Sequence, residues 1–352
     1  MKKEHILVIR FSAMGDVAMT VPVVLSVARK YPDVRITVLS RAFARTLFEG
    51  LAPSVGFMEA DLKHEYHGIK GLNALYRRLA AKQFTAIADL HNVLRSEYLR
   101  LRFHMGHYRI AHIDKHRKGR RQLTSPDKKV LVQQPTAFQN YADVFARLGY
   151  PVDVEFTSIF PEGGGDITLL SDSLQALLAT PSPAIGLAPF AAHKGKTYPT
   201  EQTRQVVAGL VEKYPEARLF LFGRGQQEEE LFAELCQQYG QCVFVANHTE
   251  TLREELILMS HLDVMMSMDS ANMHLASLVG TPVVSVWGAT HPFAGFMGWQ
   301  QKAENAVQTD LSCRPCSAFG QKPCLRRDYA CLTGIAPQTI IDKIDSVLNK
   351  AD

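Results

Sequence analysis

Val264-Met265-Met266-Ser267-Met268-Asp269-Ser270-Ala271-Asn272-Met273-His274-Leu275-Ala276-Ser277 is followed closely by Val283-Val284-Ser285-Val286-Trp287. The first apolar run, 264–267, has strand length; a stretch of helical period follows it, and a second apolar run, 283–287, closes the unit. Strand, helix and strand in that order give a parallel pair joined by a crossover helix. A helix opening at Ser270 leaves its first-turn amides without partners in the helix, so the Ser270 and Ala271 backbone is suited to hold a diphosphate. Asp269 stands at the strand end, where it either caps the helix or binds sugar hydroxyls. His274, one turn on, either packs into the core or reaches the same ligand.

The same alternation runs outward through the chain. Strands are expected at 6–11, 34–39, 86–90, 184–188 and 219–222 as well, with helices between them. The alternation lapses at Pro151, Pro161 and Gly163-Gly164-Gly165, then restarts. This predicts two doubly wound α/β lobes: an N-terminal domain over 1–160 and a C-terminal domain over 161–335, followed by a helix within 336–352. Length agrees, because 352 residues exceed what one hydrophobic core usually supports. Ligands of such sheets bind beyond the carboxyl ends of the strands, and a cleft between lobes is the expected place.

Composition narrows the class. With 46% hydrophobic and 21% charged residues the chain reads as globular. Its first apolar run is broken by Arg10, too early for a signal peptide or a membrane span, so a cytoplasmic location is expected. The net charge of +4 is concentrated. Residues 95–121 hold nine Lys or Arg against Glu97 and Asp114. Arg95, Arg117 and Arg120 belong to this segment, which either forms a solvated face or meets phosphates on a glycolipid, a membrane surface or nucleic acid.

Two further loops carry chemistry. After the first strand comes Phe11-Ser12-Ala13-Met14-Gly15-Asp16, opening a helix. Gly15 would allow a sharp turn, and Asp16 is either a helix cap or a general base. After the strand at 184–188 comes Pro189-Phe190-Ala191-Ala192-His193-Lys194-Gly195-Lys196-Thr197-Tyr198-Pro199. A lysine here can hold a diphosphate, and Lys194 competes with Lys196 for that role. Phe222-Gly223-Arg224-Gly225 then leads into Glu228, Glu229 and Glu230. All three suit a helix start, and Glu228 is the choice for ribose hydroxyls. No complete Gly-x-Gly-x-x-Gly follows the first strand, which counts against a nicotinamide-dependent oxidoreductase.

Taken together, Ser12-x-Met14-Gly15-Asp16, the weaker Asp89-Leu90-His91 with Arg95-Ser96, Gly195-Lys196-Thr197-Tyr198-Pro199, and Asp269-Ser270-x-x-x-His274 resemble the lipopolysaccharide heptosyltransferases, glycosyltransferase family 9. Gly280-Thr281-Pro282-Val283 and Trp287-Gly288-Ala289-Thr290 continue the likeness. The resemblance implies two facing Rossmann-like domains, the glycosyltransferase B arrangement, and an inverting, metal-independent glycosyl transfer. In that family the aspartate matching Asp16 is taken as the catalytic base, with Lys196 as the phosphate-binding lysine. The implied donor is ADP-heptose or another nucleotide-diphosphate sugar, held by Asp269, Glu228, His274, Lys196, Ser270 and Ala271. The implied acceptor is the anionic lipopolysaccharide inner core, with no nucleic acid partner; Ser12, Met14 and Gly15 are expected to meet it, and the basic segment with Arg95, Arg117 and Arg120 is expected to contact the acceptor or the cytoplasmic face of the inner membrane. Ala191 and Ala192 depart from relatives that carry threonines there, and the C-terminal helix is expected to pack back on the N-terminal domain. A nucleotide-sugar-binding protein without turnover and a sugar-nucleotide epimerase or hydrolase are the rival readings.

Four of six cysteines fall in Cys313-x2-Cys316-x7-Cys324-x6-Cys331. In a reducing compartment these are either free thiols or the ligands of a structural zinc, which four thiolates would close against catalysis. No cofactor is expected for the reaction itself.

Overall fold

The computed structural model describes residues 4–350. Residues 1–3, which begin the N-terminal stretch, and 351–352, which end the expected C-terminal segment, lie outside the described residues. The chain divides into two compact units. One runs up to Lys115 and includes Pro135–Ile159; the other joins His116–Gln134 to everything from Phe160 onward.

The first unit is built on strands β1 (His5–Ile9), β2 (Arg35–Ser40), β3 (Val55–Glu59), β4 (Ala86–Asp89) and β5 (Arg109–His112). All neighbours are parallel and the order is β3-β2-β1-β4-β5. The apolar run Ile6-Leu7-Val8-Ile9 is fully buried because the central strand of a parallel sheet is covered on both faces. The strand order reverses between β1 and β4, so the carboxyl ends of these two strands form the crevice where such sheets bind ligands.

The second unit holds β6 (Ala184–Ala188), β7 (Arg218–Leu221), β8 (Cys242–Phe244), β9 (Val264–Met268), β10 (Val283–Trp287) and β11 (Ala306–Gln308). Its parallel order is β11-β10-β9-β6-β7-β8, with the reversal between β6 and β9. Both units are therefore Rossmann-like, as the alternation predicts. The four strands that the sequence reading omits, β3, β5, β8 and β11, are outer strands of the two sheets.

Two expectations are corrected. The domain boundary expected near 160 puts residues 116–134 in the first domain, but they belong to the second unit: Gln134 N–H donates to the Phe293 oxygen at 2.8 Å and Lys129 Nζ to the Ser312 oxygen at 3.0 Å. The helix Pro337–Leu348, expected against the N-terminal domain, belongs to the second unit. It lies along the helix Thr200–Lys213 and strands β9 to β11, burying Ile340, Ile341, Ile344 and Val347 in the second core. Their spacing makes one apolar stripe, and each buried aliphatic side chain contributes up to about 1.5–3 kcal/mol. Lys213 Nζ pairs with Asp345 at 2.8 Å on the rim of that contact. Among the described residues no helix is long and apolar enough to cross a membrane.

Candidate functional site

Strand β1 ends in a cation. Arg10 is 6% exposed, and burying a guanidinium is tolerated only with partners that satisfy it. Its Nη1 donates to the Leu90 oxygen at 2.7 Å, and its Nη2 pairs with Asp16 Oδ2 at 2.8 Å. The Tyr141 ring lies 5.9 Å from the guanidinium, and the Tyr141 hydroxyl donates to the Asp16 main-chain oxygen at 3.3 Å. Asp16 sits in the short helix Met14–Ala18, where its Oδ2 also accepts from the Ala13 N–H at 3.1 Å. It is thus not the helix cap but a first-turn carboxylate reaching back to the residue before the helix. Gly15 is buried inside that helical turn, and none of the positive-φ glycines is Gly15, so the turn glycine expected there is not found. Ser12 and Met14 flank the turn, half-buried.

The neighbouring β4 end is equally braced. The buried Asp89 accepts from the His91 and Asn92 amides, each at 2.9 Å, and pairs with Arg100 at 3.1 Å. His91 Nδ1 accepts from the Phe11 N–H at 3.4 Å. Burial, followed by the Arg10 charge, pushes the His91 imidazole down to about 3, so it stays neutral at ordinary pH.

In the second unit the loop after β6 and the loop after β9 meet at the strand-order reversal. Lys196 Nζ pairs with Asp269 Oδ2 at 3.0 Å, and Thr290 Oγ1 donates to the same oxygen at 2.8 Å. The helix Ala271–Leu278 starts beside this cluster with Ser270 at its cap position. The Ser270 side chain makes no capping bond and lies 3.3 Å from Ser267 Oγ, so it leaves the first-turn amides uncapped by its hydroxyl. His274 is buried on the same helix, one turn beyond Ser270. Tyr198 fixes the lysine loop: its hydroxyl donates to the Ile335 oxygen at 2.7 Å, and burial raises it to about 12.

The two competing lysines separate here. Lys194 is exposed and lies over the Tyr329 ring at 5.2 Å, whereas Lys196 turns inward to Asp269. Lys194 instead lines a cavity of about 700 Å³ with Phe190, Thr197, Glu228 and Asp328. Of the three consecutive glutamates, Glu228 is the one that lines it. Its side chain folds over Gly223 and Gly225, where any Cβ would collide with it.

The basic segment 95–121 is divided between the two units. Arg95 is exposed on the first unit's helix Leu94–His104, while Arg100 serves Asp89 and Arg109 pairs with Glu4 at 2.5 Å. Arg117 is exposed on the helix Arg117–Leu123 of the second unit, where Arg120 is only 9% exposed and lies 4.4 Å from the Phe296 ring and 5.9 Å from Phe319. Arg120 is therefore a packed cation, not part of an open surface.

Among the described residues no three or more His, Cys, Asp or Glu side chains are grouped so that they could hold a metal ion. Cys316 points its thiol at the Ala289 oxygen and Cys324 at Asp328, each at 3.9 Å, while burial lifts Cys331 to about 11. The buried cation of the cysteine loop is Arg314. Sequence reasoning gave Arg10, Thr290 and Arg314 no role; Arg10 left a signal as the charge that follows a buried strand, and Thr290 as the end of the Trp287-Gly288-Ala289-Thr290 segment.

A family model described as glycosyltransferase family 9 (heptosyltransferase) matches residues 72–324. No curated protein matches the chain. Among solved structures, a glycosyl transferase family 9 protein from Veillonella parvula is 18% identical with a TM-score of 0.71, covering 99% of this chain and 98% of its own. E. coli ADP-heptose lps heptosyltransferase II is 18% identical with a TM-score of 0.64, covering 99% of each chain. The E. coli heptosyltransferase WaaC with ADP is 16% identical with a TM-score of 0.65, covering 97% of this chain and 99% of its own. These structures share the fold across both units, and the family match spans well over half of the sequence. The chain belongs to glycosyltransferase family 9, the heptosyltransferases.

Proposed function

We propose that this glycosyltransferase moves a heptosyl group from ADP-heptose to the inner core of lipopolysaccharide, with inversion and without a metal. One observation carries the division of labour: each unit holds an ion pair at its strand-order reversal, and the more exposed partner differs. In the first unit the arginine side chain is buried, 8% exposed, and the Asp16 side chain is 30% exposed. In the second the Asp269 side chain is 6% exposed and the Lys196 side chain 16%. The first unit thus offers an acceptor of protons and the second a partner for phosphate.

The reaction follows from these two offers. Asp16 takes the proton of an acceptor hydroxyl as its oxygen forms a bond to the anomeric carbon. The bond from that carbon to the diphosphate breaks on the opposite face, through an oxocarbenium-like state, and ADP leaves. Lys196 and the amides at Ser270 and Ala271 take up the developing phosphate charge, so no metal is required. Glu228 in the cavity beside the lysine loop binds ribose, and Asp269 and His274 flank the sugar. Ser12, Met14 and Gly15 border the acceptor hydroxyl, while Arg95 and Arg117 meet its anionic groups at the cytoplasmic face of the inner membrane. One solved relative is an ADP-heptose heptosyltransferase and another is solved with ADP, which supports this donor.

Purified protein given ADP-heptose and a panel of truncated lipopolysaccharide cores, with a chelator present, tests the reading. Acceptor-dependent transfer giving the inverted anomer supports it. Donor hydrolysis or epimerisation without acceptor, or ADP binding with no turnover on any core, would sink it.

A further inference from the structure

The loop after β10, Gly288-Ala289-Thr290, touches both donor-side loops. The Ala289 N–H donates to the Gly195 oxygen at 2.8 Å, and Thr290 Oγ1 donates to Asp269, which in turn holds Lys196. Where this loop sits therefore decides where the Lys196 ammonium sits.

The loop is held by Arg314, which is 5% exposed. Its guanidinium donates to the main-chain oxygens of Gly288 at 2.6 Å, Trp287 at 3.1 Å and Thr290 at 2.9 Å, to that of Thr309, and to Gln308 Oε1 at 3.2 Å. All five acceptors are neutral oxygens. Burying a cation costs several kcal/mol, and a rigid fork of five donors recovers that cost where an ammonium with three cannot. The segment then runs on to the lysine itself. The Cys316 and Ser317 amides donate to the Ala289 oxygen at 3.1 and 3.3 Å. Gly320, at φ +79°, leaves room for the Lys196 stem, whose Cδ would lie 2.4 Å from any Cβ there.

We propose that Arg314 is a positioning residue for the nucleoside diphosphate: it fixes the main chain at 287–290 so that Thr290 and Asp269 hold Lys196 toward the phosphates. This rests on the reading of Lys196 as the diphosphate-binding residue.

The test is ADP affinity by calorimetry, with the thermal unfolding midpoint, for Arg314→Lys, Thr290→Val, Lys196→Met and the Arg314→Lys/Lys196→Met double variant, each below its own transition. Arg314→Lys weakens ADP about tenfold; in the Lys196→Met background it adds no further loss while still lowering the midpoint, as coupled residues require. Thr290→Val, which leaves the Thr290 main-chain oxygen for Arg314, weakens ADP by about threefold. A lowered midpoint with ADP affinity unchanged would make Arg314 merely structural and overturn the proposal, as would a tenfold loss that persists without Lys196. Should Arg314→Lys not fold, Thr290→Val decides alone, and unchanged affinity there overturns it. Unchanged affinity in Lys196→Met on its own refutes the diphosphate reading first, and with it the route through Lys196.

Discussion

Both units end their central strands in an ion pair, yet the pairs are built in opposite senses. Arg10 is buried and satisfied by the Leu90 oxygen, leaving Asp16 in the half-exposed helix start. Asp269 is buried and satisfied by Thr290, leaving Lys196 as the more accessible partner. The same fold at the same topological position yields a carboxylate in one unit and an ammonium in the other. The polarity of each site is thus set by which residue the strand buries, and Rossmann topology alone does not choose it.

The largest effect should come from the exposed carboxylate. Asp16→Asn keeps the size of the side chain and its neighbours but removes the base, so turnover on a lipopolysaccharide acceptor is expected to fall by roughly a thousandfold. Asp269→Asn removes the buried carboxylate instead, and should cost less in turnover and show itself in donor affinity. If the two substitutions had the same kinetic signature, the contrast between the pairs would not hold.

The next effect sharpens the contrast through pH. His91 in the first unit is depressed to about 3 by burial and then by the Arg10 charge, and His291 in the second to about 4 by burial and then by the Arg314 charge. The unfolded chain takes up a proton on each below about 6.5 that the folded chain refuses, so stability falls as pH drops from there toward the folded values. Each histidine contributes a slope of about 1.4 kcal/mol per pH unit, or about 2 kcal/mol for the buried His91 between pH 7 and 5. Denaturant unfolding at those two pH values measures the loss, and His91→Gln should remove the share that His91 contributes. An unaltered pH dependence in that variant would mean that the imidazole is not held neutral.

The smallest effect concerns the basic segment. Arg120→Ala loses the stacking on Phe296 and Phe319 and is expected to cost about 1 kcal/mol in stability, with the acceptor KM unchanged. A raised KM with unchanged stability would return Arg120 to the acceptor.

Much of this was legible in the sequence, for a physical reason. The central strands β1, β6, β9 and β10 are buried on both faces and therefore read as largely apolar runs. β3, β5 and β11 are outer strands with exposed positions such as Gly56, Arg109 and Gln308, and β8 is only three residues long, so none has a run to detect. Asp16, Lys196 and Asp269 could be found because each stands a few residues beyond a legible strand. The roles of Thr290 and Arg314 could not, since what they do depends on chain brought in from 21 and 24 to 27 residues away. Charge counting along residues 95–121 met a different limit: adjacency in sequence hid a passage from one unit to the other between Lys115 and His116.

The opposite senses of the two pairs are tested most directly by titrating ADP into Asp16→Asn and Lys196→Met side by side. The account predicts that Asp16→Asn binds ADP within about twofold of the parent while Lys196→Met binds it about thirtyfold more weakly, a difference of about 2 kcal/mol. Equal losses in the two variants, or a loss confined to Asp16→Asn, would contradict the assignment of acceptor activation to the first unit and diphosphate binding to the second.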